Sequence, residues 1–422
     1  VAATLPELAP LSVRAGMSIE MERRSNRVFS SALAAACREG RVPETEIDAR
    51  VREVLRVKRR LGLFDDPLID AEKVRRETDT TKSQTFAREA ATRAAVLLKN
   101  EKDVLPLARG RRVALVGAAG ADKDLLFGTW TTWTANPDRL TVEEGLRSLG
   151  MDVVFTPAYG RKGDADQIDV AVLERACASA DVVVATFGMR RAGGEAQSRS
   201  DISLIACERR ASEVIAASGK PFVAVLFTGI PVAIPELAER ADAILEMWGA
   251  GSCAGIATAD LLTGAASPSG RLTCDFPVTT GQCPIYYNHL PTGRPYDPSK
   301  HFSSRYVEGP NAPLYPFGFG LGYTTFAFSP TTASAGNGSV VLACTVTNTG
   351  RRKGRTVVQA YVRRLFAGRS TPVRELRGFE AVTLEPGEVH RVEIRVPVER
   401  GTYEAVLARD SRTGDPVRAE VR

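Results

Sequence analysis

Four short runs, Val113-Ala114-Leu115-Val116, Val182-Val183-Val184-Ala185, Phe222-Val223-Ala224-Val225-Leu226 and Ala243-Ile244-Leu245-Glu246-Met247, are apolar at nearly every position rather than at alternate ones. A β-strand sends neighbouring side chains to opposite faces, so runs of this kind must be covered on both sides. Around them, residues 170–180, 208–217 and 254–262 space their apolar residues as a helix does. Doubly covered strands alternating with helices predict an α/β unit, a mainly parallel sheet between two helical layers.

The flanks read differently. Residues 28–38 and 47–61 form two helical patterns, with Gly40 closing the first and Pro43-Glu44 opening the second. A polar stretch from Asp65 to about Gln84 reads as a linker, and a helix over 86–98 then leads into the first strand. Residues 268–322 are rich in Gly, Pro and Tyr and predict a long structured surface segment. After Ser334 the period changes to two, with strands over 340–348, 356–362, 389–396 and 401–408, which predicts a β-sandwich of roughly 80–90 residues.

At 422 residues the chain is long enough for two or three domains. Its 44% hydrophobic and 25% charged residues are those of a soluble globular protein. No apolar run has the length of a membrane span, so no membrane partner is read. Seven cysteines, odd in number and without a CxxC pair, argue against a disulfide scaffold and a structural zinc site. Residues 331–422 hold 16 Lys/Arg against 10 Asp/Glu, which is the whole net charge of +6. That excess is read as a solvated Arg-rich β surface. No recognition motif accompanies it, so no nucleic-acid partner is read. The chain opens Val1-Ala2-Ala3-Thr4, in which no signal peptide can be read, and its true N-terminus is expected to lie elsewhere.

For chemistry, the informative stretch follows the strand at 182–185. Gly193-Gly194-Glu195-Ala196-Gln197-Ser198-Arg199 places a glycine-flanked carboxylate on a loop beyond a strand's C-terminal end, where open parallel sheets bind ligands. Other motifs stand in order along the chain. They are Ala15-Gly16-Met17-Ser18-Ile19-Glu20-Met21, Leu61-Gly62-Leu63-Phe64, Leu97-Leu98-Lys99-Asn100 with Leu105-Pro106-Leu107, Pro268-Ser269-Gly270-Arg271-Leu272, and the run from Tyr315-Pro316-Phe317-Gly318 to Tyr323-Thr324-Thr325-Phe326. Together they resemble glycoside hydrolase family 3, in its β-glucosidase branch. The resemblance departs at Ser18, Ile19, Ile205, Cys253 and Thr273, where the family usually has other residues.

That resemblance implies residues 1–66 as the C-terminal remnant of a (β/α)8 barrel, 67–90 as a linker, 91–330 as an αβα sandwich and 331–422 as a fibronectin type III-like β-sandwich. It implies a retaining hydrolase that removes terminal β-linked glucose, or a similar sugar, from an oligosaccharide or β-glucoside, and it implies no metal or organic cofactor. A periplasmic or secreted location follows from the family. Glu195 matches the family's acid/base, which protonates the leaving oxygen and then activates water. Arg199 closes the same motif, and Trp130 and Trp133, after the first strand of the sandwich, match loop tryptophans that stack on sugar. The family's nucleophile, an Asp on a barrel strand before the Ala15-Gly16 motif, would lie upstream of Val1. Asp201 reads as a turn residue and not as its substitute. The chain is therefore expected to be inactive alone, as a fragment, part of a split enzyme or an inactive relative; its partner would be the missing barrel segment, and a homo-oligomer stays open.

Three other readings compete. A non-catalytic carbohydrate-binding or partner module is the main alternative. Gly251-Ser252-Cys253-Ala254-Gly255 has the form of a hydrolase nucleophile elbow with Cys as nucleophile, yet His289, His301 and His390 offer no triad spacing. Gly117-Ala118-Ala119-Gly120 hints at a dinucleotide turn but lacks G-x-G-x-x-G.

Overall fold

The structure is a computed structural model that describes residues 4–21, 27–78, 80–123, 139–161, 164–188 and 198–422. It divides into two units, Val1–Thr80 and Thr81–Arg422.

The first unit is helical: α1 (Leu5–Arg14), α2 (Val28–Arg38), α3 (Glu44–Arg60) and α4 (Ala71–Glu77). Thr4 and Glu7 form a reciprocal capping box that starts α1, and Asp70 accepts the Glu72 and Lys73 amides to start α4. Among its described residues the apolar cluster is small, Val13, Ala36 and Val42 with Leu33 and Ile47 against them, and Ala9 and Ala32 are also buried. Along α3, Val51, Leu55 and Val57 are exposed.

The second unit begins with α5 (Thr80–Ala94), so the stretch expected to be a polar linker contains α4 and the start of α5. The helix expected to reach residue 98 stops at Ala94, and Val96–Asn100 is instead strand β1. The reason is visible in packing: Leu97 and Leu98 are both buried, one in each helical layer, which a strand allows for neighbouring residues.

Strands β2 (Arg112–Val116), β3 (Asp152–Thr156), β6 (Val182–Gly188), β7 (Phe222–Phe227) and β8 (Ala243–Glu246) complete a six-stranded sheet of order β1-β8-β7-β6-β2-β3. Between β3 and β6 lies a separate hairpin, β4 (Tyr159–Arg161) and β5 (Asp164–Ile168). Five of the six sheet strands are parallel; β1 runs antiparallel to β8 at one edge. Helices α7 (Val170–Ala178), α8 (Ala206–Ala217) and α9 (Pro235–Arg240) cover the face that carries Val183, Ala185, Phe187 and Ala224. On the opposite face α6 (Val142–Ser148) and α10 (Ala254–Thr263) cover Val182, Val184, Val223 and Val225. Consecutive residues of one strand thus feed different layers, as the doubly apolar runs require.

The C-terminal part pairs β10 (Thr332–Gly336), β11 (Ser339–Asn348) and β14 (Val389–Pro397), with β9 (Phe326–Phe328) also on β11, against a sheet of order β13-β12-β15-β16. The latter strands are β12 (Gly354–Leu365), β13 (Glu375–Leu384), β15 (Gly401–Ala408) and β16 (Val417–Val421). Alternate residues of β11, namely Leu342, Cys344 and Val346, join Val358, Ala360, Val392 and Leu407 in the sandwich core.

The Gly- and Pro-rich motifs join the two sandwiches. Gly270 N donates to Ala95 O at 3.2 Å, Leu272 and Phe319 are bonded through backbone, and Leu321 N donates to Leu97 O at 2.9 Å. From the β-sandwich, Gln359 Nε2 donates to Gly318 O at 3.0 Å, and Arg271 Nη2 donates to Thr356 Oγ1 at 3.2 Å. Burial pulls the Arg271 guanidinium down to about 10. Among the described residues no helix is long and apolar enough to cross a membrane.

Candidate functional site

The chain passes from β2 to β3 on one side, then returns to β6 on the other side of β2. This reversal makes a topological switch point between β2 and β6, and in open α/β sheets the crevice at the C-terminal strand ends there is where ligands bind. Val116 and Ala185 are partners across that pair. The segments leaving the two strands are those in which the sequence placed Trp130 and Trp133, after β2, and Glu195, after β6. Those three residues lie outside the described residues.

The strand ends beneath those segments are described. Thr186 Oγ1 donates to Val116 O at 3.0 Å, and Tyr159 OH donates to Thr186 O at 3.2 Å. Gly117 turns the chain out of β2 with φ +93°, and a Cβ there would collide with Thr186 O. The close approach of β6 is by itself enough to demand this glycine.

The return arm of the second loop is pinned. Arg199 is exposed. Asp201 Oδ1 accepts the Ser203 amide at 2.8 Å and Thr280 Oγ1 at 3.2 Å, and these bonds hold its carboxyl below the usual range. Ala233 N donates to Ile202 O at 3.1 Å. Asp201 is a turn anchor, its Oδ1 taking both donors.

Two buried carboxyls, neither singled out from the sequence, stand at this end of the sheet. Glu208 is buried in the first turn of α8, and its Oε1 accepts the amide of Gly188, the last residue of β6, at 2.9 Å. Burial pushes it up to about 7, against the Gly188 and Ile205 amides and the Arg199 charge, which favour the ionised form. Glu246, at the end of β8, accepts the Trp248 amide at 2.6 Å and lies 2.9 Å from Thr228 Oγ1, which is also 2.9 Å from Ile230 O. Thr228 has one hydroxyl proton, so a protonated Glu246 donating to Thr228, which donates to Ile230, satisfies both contacts. This agrees with burial pushing Glu246 up to about 8. The readable signals were a lone Glu inside the apolar run 243–247 and a Glu three residues after the N-cap Ile205.

Cys253 lies in a short turn before α10, where its thiol faces Gln84 O at 3.4 Å. His289 bonds Leu290 O, His301 meets the Phe302 ring edge-on and His390 pairs with Glu380, so none serves that thiol. Among the described residues no three His, Cys, Asp or Glu side chains converge as a metal site.

Comparison with known proteins agrees with this architecture. Residues 95–323 match the glycosyl hydrolase family 3 C-terminal domain, and residues 356–407 match a fibronectin type III-like domain. The chain is 36% identical over 92% of its length to the periplasmic beta-glucosidase of Salmonella typhimurium, of which the match covers 55%. It is 32% identical over 87% of its length to a beta-xylosidase of Formosa agariphila, covering 54% of that protein. The crystal structure of a beta-glucosidase from Listeria innocua in complex with isofagomine superposes on the whole of this chain and 61% of its own, with a TM-score of 0.88 and 35% identity. The chain thus spans about half the length of the curated relatives it matches. With a family model covering more than half of its residues, an αβα sandwich followed by a fibronectin-like sandwich, and these relatives, the chain belongs to glycosyl hydrolase family 3.

Proposed function

We propose that this chain supplies the acid/base side of a retaining glycoside hydrolase acting on terminal β-linked glucose or a similar sugar. The observation that carries the reading is the switch point: the loops leaving β2 and β6, neighbours in the sheet, are the ones that hold Trp130, Trp133 and Glu195 in sequence. In the proposal Glu195 protonates the leaving glycosidic oxygen and then takes a proton from the attacking water. Trp130 and Trp133 offer aromatic faces to sugar C–H surfaces, and Arg199 donates to sugar hydroxyls. The nucleophilic carboxylate comes from polypeptide outside this sequence, which is why residues 1–422 alone are inactive in this reading. Residues 1–66 are assigned to the end of a (β/α)8 barrel, 67–90 to a linker, 91–330 to the αβα domain and 331–422 to the fibronectin-like domain.

The relatives support a glucoside substrate: the Listeria innocua enzyme has been crystallised with glucose and, as a mutant, with laminaribiose. The Salmonella relative is periplasmic by name, which favours a periplasmic or secreted setting. The test is hydrolysis of an aryl β-glucoside by the polypeptide with and without the segment that carries the nucleophile. Activity is expected only with it, is lost in Glu195→Gln, and in Glu195→Ala is restored by azide as a β-glucosyl azide. A folded, active protein whose Glu195→Ala variant ignores azide would overturn the assignment.

A further inference from the structure

We propose that the groove between α8 and α9 binds a small oxyanion, a carboxylate or phosphate group, between the guanidiniums of Arg209 and Arg240. The inference does not rest on the acid/base reading of Glu195.

Helical spacing builds the groove. Arg209 and Ser212 stand three residues apart on α8 and share one face, and Arg240, the last residue of α9, reaches that face from the neighbouring helix. Leu204, Ile234 and Leu237, all buried, give the groove an apolar floor. Ser203 and Ala233, joined by a parallel bridge, continue the lining. The cavity enclosed is about 200 Å³. That is smaller than the roughly 300–1,000 Å³ of pockets that take drug-sized molecules, and it suits an ion or one small polar molecule.

Both guanidiniums are held in place by neighbours that use only part of their donor set. Arg209 Nη1 donates to Leu204 O at 2.5 Å. Arg240 Nη1 donates to Ser212 Oγ at 3.1 Å, and the Ser212 hydroxyl, buried, spends its own proton on Arg209 O at 2.7 Å. Glu213 gives one oxygen to Arg210 Nη1 at 2.9 Å and holds the other 3.6 Å from Arg240 Nη2, an ion pair longer than a hydrogen bond. A guanidinium carries five N–H donors, so among the described residues both arginines keep donors for a ligand. Of the charged residues lining the cavity two are these arginines and one is the exposed Glu236, which leaves the lining positive. Fixed cations over an apolar floor are poorly screened from below, and the guanidinium fork matches the paired oxygens of a carboxylate or phosphate. A cation would be repelled by the arginines, and an apolar ligand would cover their donors without pairing them.

The test titrates residues 1–422 with inorganic phosphate, with glucuronate and with glucose, at ionic strength matched by sodium chloride, and reads heat by calorimetry and the melting temperature. Phosphate, glucuronate or both should bind saturably, and about 20 mM of the binding anion should raise the melting temperature by about 2 °C. Phosphate alone identifies the free ion as the ligand, glucuronate alone a carboxylate carried on a sugar. Arg209→Ala and Arg240→Ala should each weaken binding about tenfold or more, and Arg209→Lys, which keeps the charge and loses the fork, should weaken it less. Glu236→Gln removes the lining carboxylate and should tighten binding about two- to fivefold. Lys353→Ala, in the β-sandwich, should change nothing. Should an arginine variant fail to fold, the exposed Glu236 still decides, because its substitution leaves the floor and both guanidiniums in place. The proposal is overturned if neither anion gives a saturable signal beyond chloride, if glucose binds as well as glucuronate, or if binding is the same in wild type, Arg209→Ala and Glu236→Gln.

Discussion

Gln359 of the β-sandwich donates to the carbonyl of Gly318 on the αβα side, and Gly318 holds φ +82° with no room for a side chain. A Cβ at Gly318 would collide with Gln359 Oε1 and come within 2.8 Å of Tyr361 OH, while Tyr361 OH itself donates to Gln359 Oε1 at 2.6 Å. The glycine of the Tyr-Pro-Phe-Gly motif is thus a fitting in the joint between two sandwiches.

Gly318→Ala combines left-handed backbone strain with displacement of a buried hydrogen-bonded pair. It should destabilise the Thr81–Arg422 unit by about 2–4 kcal/mol. Thermal unfolding measures this, and a melting temperature indistinguishable from wild type would refute the account.

The two buried acids make stability depend on pH in a stated direction. Glu208 and Glu246 are held at about 7 and about 8, above the ordinary value of 4.5. Between pH 4.5 and 8 the folded state keeps protons that the unfolded chain has released, so stability falls as pH rises through that window. The fall should be on the order of 5 kcal/mol from about pH 5 to about pH 8 by urea denaturation. Glu246→Gln should flatten the upper part of the curve, between about pH 6 and 8. Stability that rises with pH across this range would contradict the burial of both groups.

Asn100 acts as a clasp across the loop that follows β1. Its Oδ1 accepts the Leu105 amide at 3.0 Å and its Nδ2 donates to Leu105 O at 2.9 Å, bridging Lys102 and Asp103, which both hold positive φ. Asn100→Ala leaves two buried backbone groups without these bonds and should cost about 1–3 kcal/mol. Differential scanning calorimetry reads the loss; an unchanged profile would mean that water replaces the clasp.

Cys253 sits at the wall of a cavity of about 240 Å³ shared with Thr85, Arg88 and Ser252. Its thiol is directed at Gln84 O and has no histidine partner. Alkylation of Cys253 by iodoacetamide should therefore leave glucoside hydrolysis by the active polypeptide unchanged. Loss of activity that tracks labelling, and is absent in Cys253→Ala, would restore the thiol-nucleophile reading.

Much of this fold was legible because doubly apolar runs admit few arrangements. Residues 182–185 and 222–226 announced buried strands, and residues 28–38 matched α2 at both ends. The Leu97-Leu98 pair misled, since two adjacent leucines fit a helix as well as a strand until the pairing with β8 is known. β3 and β13 went unread because Asp152 and Arg377 stand at exposed positions and the apolar Phe379 is exposed too, so edge strands of this kind offer weak alternation. The Gly-rich motifs were legible as a pattern, but their use as a joint depends on contacts with Gln359 and Thr356, which lie far away in sequence. Glu208 was hidden for the same reason: a glutamate early in a helix looks solvated until β6 is seen to end against it.

The crossing of the chain from β2 out to β3 and back to β6 also separates inheritance from geometry. Two segments that leave neighbouring strands of one sheet are encoded far apart in the chain, each hung on its own strand end. Either can be exchanged, lengthened or retuned while the strands beneath keep their register, so diversification among relatives with different sugars can proceed one insertion at a time.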